Sequence, residues 1–332
     1  MNAPARLGMY GAGLVLAFGA TFTIAGALAP DDAAASWSHG DRADHGDPSS
    51  GMATPSQTAQ RAEEVDVTGV TIARSGLTMG PIAAPAATGE TGSLSFQILD
   101  RVGEPLTEFE TAHGKDLHLI TVRADGSEYR HVHPELDRTT GTWSLPWSWD
   151  SAGSYRVYAD FVTADETAVT LSRMVDVAGA LEPQPAAAVS LRDTVDGFDV
   201  AVTGELVAGG ASDLTVEVTR DGDPVTDLEP YLGAFGHLVA LRQGDLAYMH
   251  VHAHGDEPQP GDVAGPEVAF TAETPTAGRY LLYLDFQVDG QVHTAQFVLD
   301  AIASTDTAVA TEEPVGTDGP EDTDGDAEHD EH

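Results

Sequence analysis

Two short stretches of the chain contain the residue types that bind transition metals. "YRHVHPEL", from Tyr129 to Leu136, and "YMHVHAHG", from Tyr248 to Gly255, each place His-Val-His two residues after a tyrosine. Another histidine precedes each pair at the same spacing, His118 in the first case and His237 in the second. Imidazoles combined with carboxylates suit Cu(II), Zn(II) or Ni(II). We therefore asked which local structure would bring these histidines together.

A tight β-hairpin would place the three histidines of the first stretch on one face. With Asp125-Gly126 as a two-residue turn, His118 stands directly opposite His133. His131 is two residues from His133 and shares its face. Cross-strand Cβ atoms on one face lie about 4.5–5.5 Å apart, which suits two imidazoles that bind one ion.

The second stretch predicts the same geometry from a different turn sequence. With Gly244-Asp245 as the turn, His237 stands opposite His252, and His250 shares their face. The repeated geometry predicts one metal site per domain.

Carboxylates and further histidines could complete these two sites. Each copy has an aspartate in a Tyr-x-Asp-Phe motif, and the second copy has two additional histidines. The predicted ligands are His118, His131, His133 and Asp160 in the first copy, and His237, His250, His252, Asp285, His254 and His293 in the second. The Irving–Williams order favours copper (Cu²⁺), with zinc (Zn²⁺) next.

The two stretches belong to an internal duplication. "PLTEFE" at Pro105 aligns with "PVTDLE" at Pro224, and the same spacing superimposes the three histidines of each copy. Short alternating apolar segments, such as "DLHLITV" and "YLLYLDFQV", are separated by Asp-Gly turns. This pattern predicts an all-β chain with two tandem β-sandwich domains of immunoglobulin-like or cupredoxin-like type.

The N-terminal segment predicts where these domains are located. An uncharged apolar run from Gly8 to Ala29 is long enough to span a bilayer, which needs about 20 residues. It predicts a signal anchor, with a cleaved signal peptide as the alternative, and it places the domains outside the cell membrane. The predicted organisation is a signal anchor or signal peptide at 1–29, a disordered tether at 30–64, a sandwich at 65–178, a linker at 179–188, a sandwich at 189–302 and a disordered acidic tail at 303–332.

Charge and composition exclude several functions. With 15 Lys+Arg against 54 Asp+Glu, the net charge of −39 argues against a nucleic-acid partner. The absence of cysteine excludes disulfides, thiolate zinc sites and a blue copper centre. The chain has no P-loop, Gly-x-Ser-x-Gly or His-Glu-x-x-His motif, so we do not expect an enzyme. A metal-dependent hydrolase or oxidase is the least favoured alternative.

The stretches "KDLHLITVRADGSEYRHVHPEL" and "YLGAFGHLVALRQGDLAYMHVHAHG" make the chain similar to a family of actinobacterial envelope proteins. Members have an N-terminal membrane segment and are described as secreted or heavy-metal-associated, and the resemblance covers about residues 65–302. It implies an architecture like that of small extracytoplasmic copper carriers. Those carriers use His, Met or Cys ligands, and the lack of Cys and Met-rich loops here argues against Cu(I) delivery.

Two functions of different kinds follow from these observations. The first is extracytoplasmic binding of a divalent transition metal for buffering, carriage or resistance. The alternative is a scaffold without metal, in which the paired sandwiches bind another envelope protein.

Overall fold

The computed structural model describes residues 67–303, and this part of the chain is all-β. The predicted anchor and tether, and all but the first residue of the predicted tail, lie outside the described residues. Within the described range, no helix has the length and apolar character needed to cross a bilayer. The all-β prediction is confirmed.

The first repeat forms two five-stranded layers around an aromatic core. Its strands are β1 (Ala73–Arg74), β2 (Leu77–Met79), β3 (Thr91–Leu99), β4 (Phe109–Glu110), β5 (His118–Arg123), β6 (Arg130–Val132), β7 (Glu135–Asp137), β8 (Thr142–Ser148), β9 (Gly153–Thr163) and β10 (Ala168–Val177). One layer has the order β1-β2-β3-β8-β7, and the other has the order β10-β9-β5-β6 with β4 beside β9. Leu94, Phe96 and Ile98 alternate along β3, so that one face of this strand is buried against Trp143.

The second repeat is also a sandwich, but its two layers are continuous. Its strands are β11 (Arg192–Val195), β12 (Phe198–Gly204), β13 (Leu206–Val207), β14 (Gly210–Arg220), β15 (Asp223–Pro224), β16 (His237–Arg242), β17 (Tyr248–Ala253), β18 (Glu267–Thr274), β19 (Gly278–Val288) and β20 (Gln291–Ile302). The layers β11-β12-β14-β18 and β16-β19-β20-β13 are joined because β17 pairs with both β16 and β18. The prediction of two tandem sandwiches is thus confirmed.

A third apolar core lies between the two repeats, and we call this contact surface the seam. Ile120 and Val122 face it from β5, whereas Leu119 between them faces the core of the first sandwich. The buried residues of the seam are Ile120, Val122, Tyr158, Val239, Leu241, Leu246, Tyr248, Leu281, Tyr283 and Val298. The faces of the two sheets that carry β5 and β16 therefore pack against each other.

Equivalent tyrosines connect each repeat to the hairpin loop of the other. The Tyr158 hydroxyl donates to Leu246 O at 2.5 Å, and the Tyr283 hydroxyl donates to Gly126 O at 2.5 Å. Both phenols are buried, so each bond satisfies a donor that water cannot reach. These reciprocal bonds give the seam an approximate two-fold character.

The segment between the sandwiches packs against both of them. Arg123 Nη2 donates to Glu182 O at 3.2 Å, and Arg279 Nη1 donates to Ala187 O at 3.1 Å. The predicted linker at 179–188 therefore runs along the seam.

Both histidine hairpins have the predicted register, but their loops are longer than two residues. Leu119 pairs with Val132, and Ala240 pairs with Met249. In the first hairpin, Arg123 N donates to Ser127 O at 2.9 Å and closes the loop. Glu128, with a φ of 57°, is the extra residue and forms a bulge, so the pairing after it keeps the predicted register. The side chains therefore keep the predicted alternation although the turns differ.

Candidate metal centre at the seam

Four histidines from both repeats meet at one end of the seam. His118 is the first residue of β5 and lies on the same face as Ile120, which faces the seam. His131 lies in β6, and His133 is the residue that follows this strand. His237, the first residue of β16, approaches from the second repeat. The candidate ligand atoms of His118, His131 and His237 all lie within 4.8 Å of one another.

Short distances separate the ring nitrogens of this cluster. His118 Nδ1 lies 3.1 Å from His131 Nε2 and 3.3 Å from His133 Nε2. The rings of His118 and His237, which occupy equivalent positions in the two repeats, are parallel within 5° at a centroid distance of 5.5 Å. The His237 ring is also 4.8 Å from that of His131.

The hydrogen bonds on the outer side of two rings determine which nitrogens carry protons. His118 Nε2 lies 3.3 Å from Ala112 O, and His131 Nδ1 lies 2.9 Å from Asp285 Oδ2. A carbonyl and a carboxylate only accept, so these two nitrogens are the donors. When both rings are neutral, the lone pairs of His118 Nδ1 and His131 Nε2 therefore point at each other. Metal-binding histidines have this same pattern, with the second nitrogen bonded to a carbonyl or carboxylate.

Burial keeps His118, His133 and His237 neutral. Burial, followed by the charge of His131, lowers the pKa of His118 to about 3. The same two causes lower the pKa of His133 to about 3. The pKa of His237 is also well below its ordinary value, first because of burial and then because of His131 and His118. Neutral imidazoles are the form that binds metal ions.

Each predicted aspartate lies opposite the first histidine of its own copy, and Asp285 also reaches the other repeat. Asp285, expected to be a ligand in the second repeat, contacts His131 of the first repeat, and its Oδ1 accepts from Thr294 Oγ1 at 2.6 Å. The side chains of His131 and Asp285 are 1% and 3% exposed. Asp160 pairs with His118 along the sheet, and its Oδ1 accepts from Thr170 Oγ1 at 2.6 Å. The carboxylate held against the histidine cluster is therefore supplied by the opposite repeat.

Two of the predicted ligands from the second repeat, His254 and His293, have their hydrogen-bond partners outside this cluster. His252 is exposed. His254 Nε2 lies 2.6 Å from Thr271 Oγ1, also on the surface. His293 points into the core of the second sandwich beside Phe198, and its Nδ1 lies 2.8 Å from Asp196 Oδ2. Position 250 pairs with Glu273 in the β17–β18 ladder. The seam thus combines the three first-copy histidines with His237 and Asp285 in one centre, whereas the sequence predicted a separate site in each domain.

Sequence analysis did not single out His113. Its ring lies 6.2 Å from the rings of both His118 and His237. It occupies a two-residue turn, with a φ of 52°, closed by reciprocal bonds between Ala112 and Lys115. The signal in the sequence was the dipeptide His113-Gly114, because His and Gly tolerate the left-handed conformation that such a turn requires.

A family model matches the chain twice, at residues 73–179 and 193–303. The chain belongs to the family described as "Domain of unknown function (DUF8832)". The two matches show that the internal repeat corresponds to two copies of one domain. No metal-associated family is shown, and a comparison with curated proteins found no match.

Several solved structures of surface proteins resemble the chain. The adhesin InvE of Yersinia pseudotuberculosis is 12% identical, with 68% of this chain and 58% of that chain covered and a TM-score of 0.20. Domains 4 and 5 of the S-layer protein SbsC are 13% identical, with coverages of 68% and 98% and a TM-score of 0.22. A putative membrane anchored protein from Corynebacterium diphtheriae is 9% identical, with coverages of 69% and 57% and a TM-score of 0.22. Because these TM-scores are low, the sandwich assignment depends on the strand pairing described above.

Proposed function

We propose that the protein binds one divalent transition-metal ion at the seam, through His118, His131, His133 and His237. The observation that carries this proposal is the approach of two imidazole lone pairs at 3.1 Å, with a third ring nitrogen 3.3 Å from His118 Nδ1. Lone pairs at this distance repel unless a cation or a proton lies between them. A metal ion satisfies all of these nitrogens at once.

A proton added to His118 or His133 is a poorer solution for this cluster, because burial lowers the pKa values of both rings. Moving the existing proton of His118 inward would place a bare nitrogen against Ala112 O. Moving the proton of His131 from Nδ1 to Nε2 would leave two acceptors, His131 Nδ1 and Asp285 Oδ2, facing each other at 2.9 Å. Both changes lose a buried hydrogen bond.

The distances between the nitrogens bear on the identity of the metal. Metal–nitrogen bonds of about 2.0–2.1 Å place neighbouring ligands about 3.3–3.4 Å apart in a tetrahedron, and about 2.8–3.0 Å apart in a square plane. The distance of 3.3 Å equals the tetrahedral value, whereas 3.1 Å lies between the two ranges. This geometry is compatible with Cu(II), which the sequence favours, and with Zn(II), which serves as the probe in the tests below.

The proposed ion would join the two repeats. His118, His131 and His133 belong to the first repeat and His237 to the second, so a bound ion adds a cross-link at the end of the seam. Together with the predicted extracytoplasmic location, this suits metal buffering or carriage at the cell envelope.

Metal titration of the full chain tests the proposal. We expect one tightly bound Zn(II) per chain by calorimetry and elemental analysis, and loss of this site in His131→Ala and His237→Ala. His254→Ala is the matched control, because His254 is exposed and lies outside the cluster. Two equal ions per chain would support separate domain sites instead. Equal, weak binding by all variants would leave only the acidic surface as a ligand and contradict the proposal.

The apolar seam favours a second candidate function, an envelope scaffold. Ten buried residues hold the two sandwiches together without any metal, which suits a rigid module that binds another protein. This function predicts that a chain carrying both His131→Ala and His237→Ala fully restores a deletion strain, in the presence and absence of excess zinc or copper. Failure of the double variant only under metal stress would support the metal function.

A further inference from the structure

A cavity beside the metal centre connects it with the solvent. Its volume is about 460 Å³, and its walls come from both repeats, with His113 from the first and residues around His237 and His252 from the second. His237 lines this cavity and also belongs to the histidine cluster. The His113 ring lines the cavity and lies 6.2 Å from the rings of His118 and His237.

The cavity wall has only acidic charges among its described residues. Asp256, Glu257 and Glu267 line it, and no lysine or arginine does. Gly233, which has a φ of 75°, lies next to both His113 and Glu257. A Cβ atom added to Gly233 would be 3.4 Å from His113 Nδ1 and 3.5 Å from Glu257 Oε1. Carboxylate and imidazole groups thus line one passage towards His237.

The opposite side of the centre has a different charge. His133 lines a second cavity of about 330 Å³ that also contains Lys115, Asp116, Glu135 and Arg138. Arg138 Nη2 donates to Asp116 Oδ2 at 2.8 Å, which neutralises this acid. Lys115 and Glu135 balance each other, so this side offers a cation no net attraction. A cleft lined by one sign of charge raises the local concentration of the opposite ion and its rate of association.

We infer that the acidic cavity is the loading route of the metal centre: a hydrated divalent cation enters between Asp256 and Glu257 and passes by His113 and His237 to the buried nitrogens. This inference rests on the proposed function. The exposed His252 and His254 on the same wall supply exchangeable first ligands. At each step the ion exchanges a water molecule or one imidazole ligand for the next imidazole along the route, and the charge of the ion does not change.

Rapid-mixing kinetics of Zn(II) binding to the full chain, followed with a chromophoric chelator, tests the route. We expect the double variant Asp256→Asn, Glu257→Gln to associate about tenfold more slowly, with a weaker dependence on salt. His113→Asn should also slow association, and asparagine tolerates the left-handed conformation at this position. Because a route affects entry and exit alike, dissociation should slow by the same factor and the equilibrium affinity should stay within about threefold.

Glu135→Gln, on the side of His133, is the matched control and should leave both rates unchanged. Unchanged rates in the cavity variants, or equal slowing in Glu135→Gln, would overturn the loading route while the metal centre stands. Absence of equilibrium Zn(II) binding by the unmodified chain would overturn the centre and the route together.

Discussion

The two His-Val-His hairpins have nearly the same sequence and the same register, yet they occupy different places in the fold. In the first repeat, β6 ends at Val132 and β7 begins at Glu135 in the opposite layer, with His133 and Pro134 between them. In the second repeat, β17 continues through Ala253, the residue equivalent to Pro134, and pairs with β18. Proline has no N–H to donate to a ladder, so the chain leaves the sheet there. His133 then turns towards His118, whereas His252 remains on an exposed strand.

The turns before β5 and β16 show a second difference between the repeats. Ala112–Lys115 and Tyr231–Ala234 are closed by the same reciprocal hydrogen bonds, and both have positive φ values at their two central residues. The first turn contains His113, and the second has Leu232 at the equivalent position. Duplication therefore preserved the backbone of this turn, while one copy carries an imidazole and the other an aliphatic side chain at the same position.

Replacement of His133 or His252 should give the largest difference between the repeats. We expect His133→Ala to reduce the affinity for Zn(II) at least about 100-fold, because it removes a nitrogen 3.3 Å from His118 Nδ1. His252→Ala should change the equilibrium affinity less than about threefold, since this ring is exposed on the cavity wall. Calorimetric titration measures both values, and equal losses would mean that the hairpins are functionally equivalent.

Zinc should stabilise the two repeats together, because its proposed ligands come from both. At a free concentration of 100 times the Kd, we expect about 2.7 kcal/mol of added stability. Of the four tryptophans, Trp143, Trp147 and Trp149 lie in the first repeat, Trp37 precedes it, and none lies in the second repeat. Fluorescence therefore reports the unfolding of the first repeat and not of the second, while circular dichroism follows both. Both signals should shift to the same higher Tm, and neither should shift in His131→Ala. A shift in fluorescence alone would confine the site to the first repeat.

The aspartates distinguish the repeats through their effect on a histidine. Asp285→Asn weakens the acceptor for His131 Nδ1, and we expect a 10–100-fold loss of Zn(II) affinity, as for other partners of metal-binding histidines. Asp196→Asn is the matched control, because Asp196 is the corresponding acceptor for His293 outside the cluster, and it should change the affinity less than about threefold. Competition with a chelator of known affinity measures both, and equal effects of the two variants would contradict the role of Asp285.

Among these predictions, we expect the smallest effect for the pH dependence of the free energy of unfolding of the metal-free chain. The pKa values of His118 and His133 are about 3 in the folded chain and about 6.5 when unfolded, so between these values the unfolded state binds more protons. The free energy of unfolding should therefore decrease as the pH falls from 6.5 towards 3, by up to about 1.4 kcal/mol per pH unit for each fully buried ring. The half-exposed His133 contributes less than His118.

Urea denaturation at pH 7, 6, 5 and 4 measures this slope. His133→Asn should reduce it, whereas His254→Ala should follow the unmodified chain. A slope that is unaffected by His133→Asn would show that this ring is not held neutral by the cluster.

Local patterns in the sequence were sufficient to predict most of the fold. Alternating apolar residues predicted the strands, and the repeated motifs predicted two sandwiches. The hairpin register was also predictable, because a period of two decides which face each side chain occupies even when the loop length is wrong. Thus His118, His131 and His133 were correctly expected on one face.

The sequence by itself determined the strands, their registers and the histidines that share a face. Only the tertiary structure decided that the outer faces of β5 and β16 pack together, so that His237 and Asp285 meet the histidines of the other repeat. The physical reason is that local periodicity specifies the direction of a side chain relative to its own sheet. It does not specify which distant surface covers that sheet, because this depends on the burial of apolar area contributed by both domains.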